Sequence, residues 1–263
     1  MVLVVAVASI TSCGSNTYET SEIPNEALIT PSGEAMLSPQ DFVVPDWFTD
    51  YPSILEEYRR FAECEITSDS DKGWLFDRTI FSGPDYNQAG NWGNALHEAK
   101  LVSYRDYNDP RDAFGYAIED LNGDENPELI LLLQDYTVLA VISTFDGKPK
   151  VLGAYYSRHD CGIDNTGTLY TCSSGGAFYF SISSYKISPD GSELILIEEF
   201  GADGYLKGEN ATFYYKLVNG DKTRISDADF NELSNKFPKR AGMNTYAYRI
   251  TQDSGMDFVP LFE

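Results

Sequence analysis

Two hydrophobic periods divide the chain. Over residues 52–65, Ile54, Leu55, Tyr58, Phe61 and Ala62 recur at three- and four-residue spacing, which lines one face of an α-helix. Pro52 suits the opening turn, where a backbone N–H has no intrahelical partner in any case. A polar stretch follows, including Ser68-Asp69-Ser70-Asp71-Lys72-Gly73. Residues 74–91 then read as a loop, and the pattern predicts a second helix over 92–103. Asp109-Pro110 breaks the helical pattern, because the proline ring pushes the preceding residue into extended backbone. Beyond it the period becomes two, and candidate strands cover 114–119, 128–133, 138–145, 150–157, 168–172, 177–187, 193–200 and 211–218. Asp146-Gly147, Asp190-Gly191 and Asn219-Gly220 supply tight turns. Links that short make neighbouring strands antiparallel. Within 177–187 the apolar side passes from Phe178, Phe180 and Ile182 to Tyr185 and Ile187, a slip that predicts a bulge at Ser183-Ser184. Ser226 and Asp229 form a capping-box pattern ahead of Phe230, Leu233 and Phe237, so a last helix starts there. The expected fold is α+β: one domain over 42–263, a mainly antiparallel twisted sheet (a meander), with helices on its N-terminal side and near its C-terminus. The strands do not recur as equal blades, which argues against a propeller.

The first residues follow a different logic. Residues 2–12 are apolar and uncharged, too short to span a bilayer but long enough for the apolar region of an export signal. The run ends in Ile10-Thr11-Ser12-Cys13, which resembles the lipobox of bacterial lipoproteins. That resemblance implies removal of residues 1–12 and a diacylglyceryl group on the Cys13 sulfur. No Lys or Arg precedes the run, a departure from the usual signal. The other reading is a buried first strand with an ordinary core cysteine. Residues 14–40, rich in Ser, Thr, Glu and Pro without a sustained apolar period, favour a tether over a strand. Residues 13–41 are therefore expected to be lipidated cysteine plus tether. The chain would be exported, attached to the cell membrane by lipid alone, with its domain outside the cytoplasm.

Composition narrows the partners. At 42% hydrophobic residues and a mean hydropathy of -0.31, the chain is neither a polytopic membrane protein nor fully disordered. Lys and Arg number 19 against 41 Asp and Glu, a net charge of -22. That excess opposes nucleic acid, since no pool of cations is present to displace its counterions. Anionic lipid surfaces are disfavoured for the same reason. Besides Cys13 there are Cys64, Cys161 and Cys172. Cys64 falls on the first predicted helix and reads as a buried thiol. Cys161 and Cys172 bracket a turn, and either a disulfide or two free thiols fits that spacing, which cannot set connectivity.

One string carries chemistry. In Asp120-Leu121-Asn122-Gly123-Asp124-Glu125-Asn126-Pro127-Glu128-Leu129, oxygen-bearing side chains fall at every other position from Asp120 to Glu128. In a tight loop that spacing turns successive oxygens inward, and a hard cation with six to eight oxygen ligands suits such a ring. The string resembles the calcium loops of integrin-type FG-GAP repeats and the DxNGDxxPEL hairpins of many exported bacterial proteins. The resemblance implies side-chain oxygens from Asp120, Asn122, Asp124 and Glu128, and the backbone carbonyl of Asn126, around a structural Ca2+. Position twelve is Leu131 instead of a bidentate acid, which excludes a helix–loop–helix EF-hand. Position six, a left-handed glycine in both families, is Glu125, at a cost on the order of 1 kcal/mol. The alternative is an Asp- and Asn-capped hairpin that holds itself by side-chain-to-backbone bonds.

Other signals weigh less. His97 and His159 are the two histidines, and neither belongs to HExxH; no GxSxG occurs either. Tyr number 18, Phe 15 and Trp 3, with clusters at Tyr155-Tyr156, Phe178-Tyr179-Phe180 and Tyr214-Tyr215. Aromatic side chains suit any pleated surface, which accounts for most of them. A row of outward Tyr beside carboxylates is also what a sugar-binding surface uses. The preferred expectation is a non-catalytic surface module for a glycan or protein ligand. Its rival is a carboxylate glycoside hydrolase, which needs two acids about 5 to 9.5 Å apart.

Overall fold

The structure, a computed structural model, describes residues 51–64, 89–176, 179–204, 213–237 and 247–262. All of them belong to one compact unit, Val44–Glu263. The signal segment, Cys13, the tether and the polar stretch 68–73 lie outside the described residues.

Helices α1 (Tyr51–Glu63) and α2 (Ala89–Asp106) come first, the second starting three residues before its apolar pattern. Cys64 follows the last turn of α1 and is half-buried. A single 3-10 turn, Pro110–Ala113, then leads into β1 (Phe114–Glu119), with Asp109 capping it by accepting from Arg111 N. β2 (Glu128–Leu133), β3 (Val138–Phe145) and β4 (Lys148–Ala154) continue as antiparallel hairpins. β5 (His159–Ile163), β6 (Leu169–Gly176), β7 (Tyr179–Ile187), β8 (Leu194–Asp203), β9 (Phe213–Val218) and β10 (Asp221–Arg224) form a second antiparallel run. Helices α3 (Asp227–Lys236) and α4 (Ala247–Asp253) and the short β11 (Val259–Pro260) close the described chain.

The fold is α+β and mainly antiparallel, but the meander is cut in two. One sheet has the order β11-β1-β2-β3-β4 and the other β10-β9-β8-β7-β6-β5. The cut explains why β2 is apolar at five of its six positions and buried at all six. Leu129, Leu131 and Leu133 pack with Tyr58, Phe61, Leu96 and Phe114 under α1 and α2. Ile130 and Leu132, on the opposite face, pack with Cys161, Ile163 and Leu169 of the second sheet. α3 covers the far side of that sheet with Phe230, Leu233 and Phe237 against Ile182 and Phe200. Its N-terminus carries the full capping box, Ser226 Oγ accepting from Asp229 N and the Asp229 carboxylate from Ser226 N.

Two expectations need correction. The apolar slip in β7 is a change of partner, not of backbone. Phe180 and Ile182 face α3, whereas Tyr185 and Ile187 face the other sheet. The register break lies beside Ser184 and Tyr185, but the extra residue is Ile197 on β8, since Ser184 opposes Glu198 and Tyr185 opposes Leu196. Cys161 and Cys172 are free thiols, not a disulfide. Cys161 stands opposite Thr171 and Cys172 opposite Asp160, so the two sulfurs leave opposite faces of the sheet. Cys161 enters the core between the sheets and Cys172 the cluster under α3. Burial pushes both thiols up, Cys172 to about 11 with help from Asp160, which leaves them unreactive.

Candidate functional site

The loop from Asp120 to Pro127 joins β1 to β2, with Glu119 and Glu128 directly paired at its base. Its acids turn inward onto its own amides. Asp120 Oδ1 accepts from Gly123 N at 2.7 Å and Oδ2 from Glu125 N at 3.0 Å. Asn122 Oδ1 accepts from Asp124 N at 3.1 Å, and Asp124 Oδ1 from Asn126 N at 2.7 Å. This curl requires left-handed backbone twice, at Gly123 (φ 80°) and at Glu125 (φ 70°). Glu125 therefore occupies the conformation expected of position six without the residue that adopts it freely.

Tertiary contacts fix the loop at both ends. Asn122 Nδ2 donates to Ser188 O at 3.0 Å, tying it to the β7–β8 turn of the second sheet. Tyr51 Oη of α1 donates to Pro127 O at 2.9 Å. Gly167, in the β5–β6 turn, lies so close that a Cβ there would stand 2.0 Å from Leu121 O. The loop is thus held by α1 and by both sheets.

Glu128 is fully buried. Its Oε2 accepts from Leu121 N at 2.9 Å and its Oε1 from Ser143 Oγ at 3.1 Å. Burial lifts its carboxyl to about 7; the two hydrogen bonds oppose the shift, and Asp124 and Asp120 add to it. A buried carboxylate with two donors is costly in its charged form, and burial favours its protonation. Asp120, Asn122 and Asp124 thus accept from the loop's own amides, the self-capped arrangement, Glu128 accepts from Leu121 N and Ser143 Oγ, and Asn126 donates from Nδ2 to Asp124 O. Among the described residues, no three His, Cys, Asp or Glu side chains are grouped as metal ligands. The donor chemistry fits calcium; the carboxylates as they stand are spent on amides.

A cleft of about 590 Å3 opens beside the loop, lined among others by Asp120, Asn122, Asp164, Thr166, Lys186 and Met256. Lys186 Nζ donates to Thr166 O, so the cation is committed to the far wall. Ser143, Ser188 and this wall carry no local signal in the sequence, because each reaches the loop from another hairpin.

No protein-family model, curated protein or solved structure matches this chain.

The remaining candidates resolve into packing. His159 and Ser173 are cross-strand partners, with Nδ1 and Oγ 2.5 Å apart and Tyr155 stacked on the imidazole at 5.4 Å. Burial lowers the His159 pKa, but the next amide, Ser174 N, already donates to Arg158 O and is not free to hold an oxyanion. Glu98 of α2 accepts from Ser157 N at 2.7 Å and Ser157 Oγ at 2.9 Å, which ties the β4–β5 link to the helix. Of the aromatic clusters, Tyr155 and Tyr215 are buried, and Phe180 and Tyr214 pack on Phe230. Tyr179 is exposed, with Lys222 Nζ 5.1 Å from its ring centre. No helix of the described residues is long and apolar enough to cross a membrane.

Proposed function

We propose that this chain is a lipid-anchored, exported binding module whose fold is clamped by calcium at the loop from Asp120 to Glu128, and that it performs no catalysis of its own. The anchor is Cys13, at the end of the lipobox-like string, and the domain stands outside the cytoplasm on its tether. The ligand is a surface glycan or a protein, and nucleic acid is opposed by the net charge of -22. The observation that carries the reading is the buried Glu128 carboxylate at the base of a loop rich in Asp and Asn, which bonds to the β7–β8 turn of the second sheet. Calcium there would neutralise Asp120, Asp124 and Glu128 together and stiffen the contact between the sheets. Its role is structural.

The test is thermal unfolding of the full chain in detergent, with calcium and with chelator. At free calcium a hundredfold above Kd, folding gains about 2.7 kcal/mol. For a domain of this size that raises Tm by roughly 5–10 °C. Superimposable melting curves would remove calcium from the account.

A further inference from the structure

Three strands at the sheet edges are guarded against further pairing. β10, at one edge of the second sheet, is exposed at all four positions and carries Asp221, Lys222 and Arg224. In the first sheet, β4 opens with Lys148-Pro149-Lys150 and β11 holds Pro260. Charge and proline of this kind deter an added strand. The interior strand β8 is different. β9 stays beside it only from Phe200 to Asp203, and the last residues of β9 are committed to β10. Over residues 194–197, β7 lies on one side of β8, and among the described residues the other main-chain edge has no ladder partner.

We propose that this opening docks an extended segment of a partner protein, aliphatic in its centre and basic at its ends, which adds to the second sheet as a strand. This specifies the protein ligand of the binding module and rests on that reading, though not on calcium. All four residues are aliphatic, and Ile195, Leu196 and Ile197 are 42%, 38% and 60% exposed. Leu194 and Leu196 stand opposite Ile187 and Tyr185, on the face toward the first sheet. Ile195 stands opposite Lys186 on the other face, and Ile197 is the bulged residue. Apolar surface thus flanks the open main chain on both faces. Another extended chain meets both faces with alternate side chains and answers the unpaired N–H and C=O groups in register.

Charge selects among such chains. Asp190 and Glu193, in the turn that leads into β8, are exposed, and among the described residues neither belongs to an ion pair. Asp190 accepts only from neutral donors on Ser188 and Ser192. At the other end Glu198 is matched by Lys216 Nζ at 2.5 Å. The unmatched charge beside the opening is therefore negative, as is the chain as a whole at -22. A Lys or Arg next to the aliphatic centre gains from both. A second copy of this chain would bring another -22 and be repelled.

The probe is a fluorescein-labelled peptide of four Val with two Lys at each end. One control peptide carries Glu in place of Lys, and another has Pro at the second and fourth Val. Anisotropy is titrated with the full chain in detergent, in calcium and in chelator, against a detergent blank, and sedimentation follows the chain alone. The Lys-flanked peptide should bind saturably, and both controls should bind at least about tenfold more weakly. Ile195→Lys and Ile197→Lys should each weaken binding about tenfold with unchanged melting curves. Leu101→Lys, the same charge change at an exposed position of α2, should leave binding unchanged. Any of five results overturns the proposal: no saturable binding, equal affinity for the Pro peptide, equal affinity for the Glu peptide, affinity lost in Leu101→Lys but kept in both β8 variants, or a dimer of the chain that Ile197→Lys dissolves. Melting curves that ignore calcium leave these titrations standing, and failed titrations leave the melting comparison standing, so the two ideas fail separately.

Discussion

Glu125 holds φ at 70° on an exposed turn, a conformation that brings Cβ against its own carbonyl and costs roughly 1–2 kcal/mol. Glycine there would escape that cost but lose about 0.5–1 kcal/mol through its freer unfolded chain. The strain term is the larger. Glu125→Gly should therefore stabilise the chain by about 0.5–1 kcal/mol net. Removing one of the negative charges crowded in this loop works in the same direction when no cation is bound. Urea unfolding in chelator should show a higher midpoint with an unchanged slope. A lower midpoint would mean that the Glu125 side chain does something for the loop that its backbone conformation conceals.

Elements show where hydropathy alone stops being informative. Leu131 of β2 and Ile197 of β8 are both aliphatic strand residues, yet Leu131 is fully buried beneath α1 and α2 while Ile197 is 60% exposed at the bulge. Leu131→Ala should cost about 2–5 kcal/mol, from lost transfer energy and the cavity left behind. Ile197→Ser should stay within about 0.5 kcal/mol of the parent. Equal losses in denaturant melts would contradict the assigned layers. The sequence could be read where a residue's local chemistry demands its structure. Asp146-Gly147 and Asn219-Gly220 both adopt positive φ and close hairpins, and Ser226 with Asp229 opens α3. It could not be read where the partner is remote. β5 carries His159, Asp160 and Gly162 among its five residues, so it has no apolar period, and it exists because β6 and α4 flank it. α4 and β11 are short for the same reason. The Asp120–Glu128 string was legible as a polar loop, but Ser143 and Ser188, which hold it, lie on other hairpins.

At the scale of the whole molecule, acidity is distributed unevenly, and its pH response follows from where the acids are buried. Among the described residues, most carboxyls stand in water or in exposed pairs, where screening leaves them little influence on stability. Asp160 differs. It projects from β5 on the face shared with Cys172; burial and then Glu98 raise its carboxyl to about 7. A folded pKa above the unfolded value near 4 means that the native state holds the proton more tightly. The resulting stability is complete below about pH 4 and is lost as pH rises through about 7. Asp109 and Asp190 point the other way, each lowered to about 2, Asp109 by Arg111 and Asp190 by Ser188 and Ser192, but both are solvent-exposed and their effect belongs below pH 4. In chelator, Tm should therefore fall as pH is raised from 5 to 8, contrary to the intuition that a highly acidic protein is safest when fully charged. Asp160→Asn, which cannot ionise, should flatten that slope and raise Tm most at pH 8. A slope unchanged by the substitution would place the pH response elsewhere, with Glu128 the remaining buried acid raised to about 7. Calcium at the proposed site would supply the contrast, since its ligands must be deprotonated to bind it. Its protection should grow over the same interval in which the metal-free fold weakens, so the gap between the two melting curves widens toward pH 8.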